Sequence, residues 1–150
     1  MLAYRITTKQ YKNDLSGTGA AINGGRWNDV GSFVLYTGES IEIALLETIV
    51  HTPPMLVPNL FVVTIKFPKS ILKIEHNTLP KNWFKPNAPK SLLEISYNWL
   101  KSGEFLALKV PSSVVHSSNN YILNCAHPKY KEVKIIETKP LYYDPRIAKS

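Results

Sequence analysis

Residues 41–51, IEIALLETIVH, constrain the fold more than any other stretch of the chain. Ser40 places an N-capping hydroxyl before them, and Pro53-Pro54 stop a helix soon after His51. On a helix starting near Ile41, residues 43, 46, 47 and 50 share a face, and Ile41, Ala44, Leu45, Thr48 and Ile49 fill the other side. Such a helix is apolar nearly all round and is expected to be largely buried. Yet it carries Glu47. A carboxylate in apolar surroundings is costly unless it finds a partner. No Lys or Arg lies three or four residues from Glu47; only His51 does. The partner must come from elsewhere in the fold. A structural ion pair, a head group that snorkels out, and an active-site carboxylate all satisfy that requirement.

The rest of the chain reads as short strands punctuated by proline and glycine. Residues 2–7 (LAYRIT), 33–36 (FVLY), 59–67 (NLFVVTIKF), 71–75 (ILKIE), 104–110 (EFLALKV), 132–137 (EVKIIE) and 140–143 (PLYY) suit strands, with 59–67 the strongest and central. Residues 8–25 read as a glycine-bearing loop, and 78–90 as a proline-rich loop anchored by Trp83 and Phe84. Residues 91–101 (SLLEISYNWLK) suit a second helix, closed by Gly103. Residues 117–124 read as a loop entering one helical turn. Strands dominate and do not alternate regularly with helices. The expected class is α+β on antiparallel or mixed sheets, in one domain spanning 1–150.

Composition removes several function classes. The single cysteine, Cys125, excludes an internal disulfide and agrees with a reducing compartment. No apolar run approaches a membrane span and the N-terminus has no apolar signal core, so a cytoplasmic location is expected. The four histidines, at 51, 76, 116 and 127, lack metal-ligand spacing, and no metal is expected. Gly17-Thr18-Gly19 lacks the third glycine and the strand–helix context of a nucleotide fingerprint. Net charge is +7, with lysines scattered through 66–101 and 129–149 rather than gathered in a block. That charge fits an ordinary soluble surface or an anionic partner. It motivates one alternative reading: a nucleic-acid-directed protein, either of ribonuclease type or a basic nucleic-acid-binding module. No nucleic-acid-binding motif accompanies it.

Other residues join Glu47 as candidates. Arg26 follows Gly24-Gly25, which permit close backbone approach, and its guanidinium suits a phosphate or carboxylate. A surface arginine or a structural partner for Glu47 is the plainer reading. Tyr36 ends an apolar strand: core packing, or a platform for a heteroaromatic ring. Ser112, at a strand end, is a turn residue unless a base adjoins it; His116 lies four residues on, without a hydrolase motif. Asn124 follows Tyr121-Ile122-Leu123 and reads as buried, and Arg5 faces either solvent or a cleft.

These residues fall in a pattern. Gly17-Thr18-Gly19-Ala20, Gly24-Gly25-Arg26-Trp27-Asn28, Gly31, Val34-Leu35-Tyr36, and Ser40 through Ala44-Leu45-Leu46-Glu47 to Val50-His51 resemble the RES domain family. So do Leu79-Pro80 with Trp83, Trp99-Leu100, Leu108 with Val110-Pro111-Ser112, Asn120-Tyr121-Ile122-Leu123-Asn124, His127-Pro128 and Asp144-Pro145-Arg146. The match runs in the family's order over essentially the whole chain. The Arg, Glu and Ser of the family's name correspond to Arg26, Glu47 and Ser112.

The resemblance implies a toxin of a type II toxin–antitoxin pair, held by an Xre-type DNA-binding antitoxin in a hetero-oligomer, with no direct contact to nucleic acid. It implies a fold like that of ADP-ribosyltransferases, a split, mostly antiparallel sheet around an NAD cleft. It implies NAD+ as substrate, consumed by hydrolysis or phosphorolysis, or as donor of ADP-ribose to a protein. By the same match Glu47, Arg26 and Tyr36 are catalytic, and Arg26, Tyr36, Ser112 and Asn124 bind or support NAD. Glu47 would stabilise positive charge on the ribose, Arg26 would hold a phosphate, and Tyr36 would stack on nicotinamide. The chain departs at Ala21, where many members carry arginine, and at Cys125, where many carry proline. The first departure weakens a phosphate contact; the second reshapes a loop.

Overall fold

The computed structural model describes residues 1–51 and 59–148. Seven strands form one sheet: β1 (Leu2–Thr8), β2 (Val34–Gly38), β3 (Leu60–Lys66), β4 (Ile71–Lys73), β5 (Ala107–Pro111), β6 (Asn119–Asn124) and β7 (Lys134–Pro140). Among the described residues three α-helices accompany them: α1 (Thr18–Asn23), α2 (Ile41–His51) and α3 (Ser91–Ser102), with short 3-10 turns between elements. The strand order is β4-β5-β6-β2-β1-β3-β7. Only β4 and β5 run parallel; the other neighbours are antiparallel. The α+β class is therefore as expected from the sequence.

The sheet is nearly split. β1 and β3 pair over the full length of β1, from Leu2↔Lys66 to Thr8↔Leu60, whereas β1 and β2 meet at Tyr4↔Gly38 alone. Ala3, Val63 and Ile65 of one half share a core cluster with Leu35, Ala107, Tyr121 and Leu123 of the other. The sheet thus closes one face on itself. Alternate residues point to the other face. There Val34, Leu108, Val110 and Ile122 pack against Leu92 and Trp99 of α3, with Trp27 and Trp83. On that same face Ile6, Leu60 and Val62 pack against Ala44 and Leu45 of α2.

This double burial explains the main departure from the sequence reading. Residues 117–124 are not a loop entering a helical turn; they supply β6, flanked by β2 and β5. Tyr121 and Leu123 face one core and Ile122 the other. A strand buried on both faces shows no polar alternation, and the asparagines at its ends disguise it as a loop. Elsewhere, residues 8–25 contain the short helix α1 rather than loop alone, and β7 is a single strand ending at Pro140 where two had been expected. β3 is an interior strand but lies next to the edge strand β7.

The helices follow their local signals. The Ser40 hydroxyl accepts from the Ile43 N–H at 3.2 Å, the expected cap of α2. The expected stop at Pro53-Pro54 falls outside the described residues. Burial of α2 is less complete than its composition implies: Ile43, Ala44 and Leu45 are buried, but Val50 is 60% exposed. In α3, Tyr97 faces solvent and Ser96 is buried, opposite to the expected apolar face. Gly103 ends α3 in the left-handed region at φ 62°, as a C-terminal glycine should. Among the described residues no helix is long and apolar enough to cross a membrane.

Candidate active site

A cavity of about 830 Å³ opens at the seam where β1 parts from β2. That size suits a small-molecule ligand. It is bordered by β1, by the C-terminal end of β2, by one side of α2, by the start of β6, and by the loops around Gly24–Trp27 and Pro86–Ala88. Arg26, Tyr36 and Glu47 all reach it. The structure therefore brings together the three residues that the sequence singled out from separate elements.

Glu47 finds its partners across the fold. The Ser112 hydroxyl donates to Glu47 Oε1 at 2.7 Å, and Asn120 Nδ2 donates to the same oxygen at 2.8 Å. His51 Nε2 lies 3.5 Å from the other oxygen, Oε2, one helical turn on. Burial pushes the Glu47 carboxyl up, but the hydrogen bonds from His51, Ser112 and Asn120 outweigh it, and its pKa lies below the ordinary 4.5. The carboxylate is thus ionised and held rather than stranded. Ser112 is fully buried, and its oxygen also accepts from the Val114 and Val115 N–H groups at 3.0 and 3.1 Å. It holds its turn and at the same time donates to Glu47. His116, the only base nearby in sequence, packs instead on the Trp83 ring with centroids 5.0 Å apart.

The Glu47–His51 pair has a testable titration. Hydrogen bonding to Glu47 raises the His51 pKa above 6.5, while burial and Arg26 oppose the rise. A raised histidine pKa contributes stability below 6.5 that is lost as pH rises through the folded value. The depressed Glu47 pKa contributes stability above 4.5 that is lost as pH falls through its folded value. The pair is therefore most favourable between those limits. Histidine NMR should show a His51 midpoint above 6.5 that falls in Glu47→Gln; an unchanged midpoint would remove the pairing.

Arg26 reaches the cavity from the loop after α1. Its guanidinium donates to the carbonyls of Trp83 and Lys85, the latter at 3.0 Å. It does not pair directly with Glu47, although the two charges lie close enough to influence each other. Arg26 therefore ties the 83–88 segment to the cavity rim and keeps further N–H groups for a ligand.

Tyr36 has its hydroxyl engaged. It donates to Asn28 Oδ1 at 2.6 Å and accepts from the Trp27 N–H at 3.1 Å. Burial pushes its pKa up to about 12, against the opposing influence of Trp27 and Arg26, so the phenol stays neutral. Asn28 is buried and donates in turn to the Ala20, Asp29 and Ser32 carbonyls at 2.9, 3.2 and 3.3 Å. This network folds the GGRWN loop back onto β2 and aims Arg26. Gly25 is needed there for space: a Cβ would lie 2.7 Å from the Tyr36 hydroxyl and 3.1 Å from Asn28 Oδ1. Gly25→Ala is expected to wedge that hydrogen bond apart and to destabilise the protein by about 1–3 kcal/mol. Thermal denaturation checks this; an unchanged midpoint would mean that the loop repacks freely.

Asn124 falls outside the cavity, and Arg5 borders it with its head group engaged elsewhere. Asn124 is buried at the opposite end of β6 from Asn120, and its Oδ1 accepts from the Ala126 N–H at 2.9 Å. The structure does not bring it to the cavity. Arg5 borders the cavity, but its guanidinium donates to the Tyr11 carbonyl at 2.9 Å. Ala21 is buried under the 24–31 turn, its carbonyl accepting from the Gly31 N–H at 2.7 Å. Cys125 sits against Gly17, whose φ of 74° and lack of a Cβ allow the close approach. Two residues near the site had been given no role, Asn28 and Asn120. Both lie in the motif runs quoted above, which was the only available signal. Among the described residues no group of three or more His, Cys, Asp or Glu side chains could hold a metal.

Comparison with known proteins follows the same lines. A sequence model described as "RES domain" matches residues 2–144. A protein named "Prs ADP-ribosylating toxin" from Sphingobium sp. (strain YBL2) is 36% identical over 152 residues, covering 96% of this chain and 94% of that protein. "Toxin Res" of Yersinia enterocolitica is 32% identical, covering 98% of this chain and 99% of that one. The fold is similar to a chain in the crystal structure of the M. tuberculosis MbcT-MbcA toxin–antitoxin complex. The TM-score is 0.76 at 16% identity, over 98% of this chain and 86% of that one.

Proposed function

This chain belongs to the RES domain family, and on that premise we propose that it is a toxin that consumes NAD+ by cleaving its nicotinamide–ribose bond. The observation that carries the reading is the Glu47 carboxylate, ionised, anchored at one oxygen and set beside a ligand-sized cavity. Loss of nicotinamide builds positive charge on the ribose, as in glycoside cleavage. A fixed carboxylate beside that sugar stabilises the charge most where water is scarce. Nicotinamide leaves with the bonding electron pair and loses its positive charge. When water is the acceptor, its oxygen bonds to the ribose carbon and a proton is released.

Arg26 supplies the cation for the NAD phosphates. The Tyr36 ring, locked by its hydroxyl, offers a flat face at the cavity, and its neutral phenol does not serve as a base. Ser112 serves the reaction through Glu47. The acceptor is water, inorganic phosphate or a protein side chain. The Sphingobium relative's name favours the protein acceptor. An Xre-type DNA-binding antitoxin is the proposed partner, covering the cavity rim around Arg26; the toxin–antitoxin complex of similar fold supports an antitoxin partner.

Expression without a partner in a bacterial host is the cellular test. The reading predicts a falling NAD pool and arrested growth, both relieved by co-expressing the antitoxin. Undiminished NAD in a growing culture that contains the folded protein contradicts it.

A further inference from the structure

Glu47 Oε1 receives two strong donors and Oε2 receives none of comparable quality. One carboxylate oxygen has about two good acceptor directions. Ser112 and Asn120 fill both on Oε1. Oε2 has only His51, at 3.5 Å and with its side chain 65% exposed. The two oxygens are thus inequivalent by construction.

Asn120 is well placed to enforce this. Its backbone pairs with Gly38 of β2 on one side and Val110 of β5 on the other, so its Cα is fixed from both sides. It borders the cavity directly, whereas Ser112 is fully buried in its own turn and does not line the cavity. The charged groups that face Glu47 are His51 on its own helix and Arg26 on the GGRWN loop; Tyr36 stands beside Arg26 on β2.

We propose that Asn120 is a positioning residue that anchors Glu47 by Oε1 and leaves Oε2 as the oxygen that meets the substrate ribose. This rests on the NAD-cleaving reading for its catalytic part and on geometry alone for the anchoring. Removing the amide frees the carboxylate to rotate. Replacing it by aspartate keeps the shape but sets a second carboxylate against Oε1, where like charges disfavour ionisation.

Two variants and two measurements decide it. Asn120→Ala is expected to lower kcat for nicotinamide release roughly ten- to a hundredfold, the worth of a hydrogen bond to a charged group, with a smaller effect on KM. Asn120→Asp is expected to lose more. Without NAD, carbon-13 NMR of the Glu47 carboxyl, assigned by its absence in Glu47→Gln, reads the titration directly. The midpoint should rise in the order wild type, Asn120→Ala, Asn120→Asp. A residue that merely builds the strand leaves the Asn120→Ala midpoint at the wild-type value and ranks kcat in the reverse order, because aspartate is the closer replacement in shape.

The proposal is overturned if Asn120→Ala keeps wild-type kcat and an unchanged Glu47 midpoint, or if Asn120→Asp behaves more like wild type than Asn120→Ala. A wild-type protein that cleaves no NAD would sink the functional reading instead. The carboxyl titration would still decide the anchoring.

Discussion

Glu47→Gln is expected to reduce nicotinamide release by roughly 10²–10³-fold or more, as removal of a transition-state stabilising group does. Glutamine keeps the shape of the side chain. Its amide oxygen still accepts from Ser112 and Asn120, which are now neutral-to-neutral contacts. What disappears is the negative charge, and with it the stabilisation of the cationic ribose. The folded state loses only the charge-assisted part of three contacts, at a position with 20% of its side chain exposed. Circular dichroism and melting should therefore resemble wild type while steady-state turnover collapses. Loss in kcat with a smaller change in KM marks an interaction made mainly in the transition state. Glu47→Ala is expected to match the kinetic loss, because either substitution removes the charge. A glutamine variant with full turnover would return Glu47 to a structural role.

The second large effect concerns the fold. Trp99→Ala is expected to cost about 3–5 kcal/mol. Trp99 is 2% exposed, and its indole N–H donates to the Phe105 carbonyl at 2.8 Å. The substitution opens a cavity between α3 and the sheet and orphans that carbonyl. A domain's whole stability is about 5–15 kcal/mol. Chemical denaturation should show the midpoint shift. The consequence reaches the active site, since Trp27 of the GGRWN loop and Trp83 of the segment held by Arg26 belong to the same cluster. Partial denaturant should therefore inactivate Trp99→Ala before the sheet unfolds. Coincident loss of activity and structure at the wild-type midpoint would contradict this.

The split between what sequence shows and what it hides follows from the range of each interaction. Capping of α2 by Ser40, termination of α3 at Gly103 and the strand over 60–66 are local, and the residues announce them. Glu47, a carboxylate on an apolar helix with no Lys or Arg three or four residues away, was legible because a burial cost can be read from neighbours alone. Its partners were not, since Ser112 and Asn120 lie 65 and 73 positions away along the chain. β6 was hidden because both its faces are covered, which erases the alternation that marks a half-exposed strand. Arg26 was visible as a cation after two glycines, but its bonds to the Trp83 and Lys85 carbonyls depend on a loop closing from the far side of the cavity. Asn124 misled for a related reason: its burial was read correctly, and burial does not say which end of a strand faces the cavity.

The most direct test incubates the purified protein with NAD+ and follows free nicotinamide, with water alone, with inorganic phosphate, and with a cell lysate as source of protein acceptors. The predicted result is nicotinamide release in at least one of these conditions, abolished in Glu47→Gln. Intact NAD+ in all three, from protein with the wild-type fold, would contradict the assignment of the Glu47 cavity to NAD cleavage.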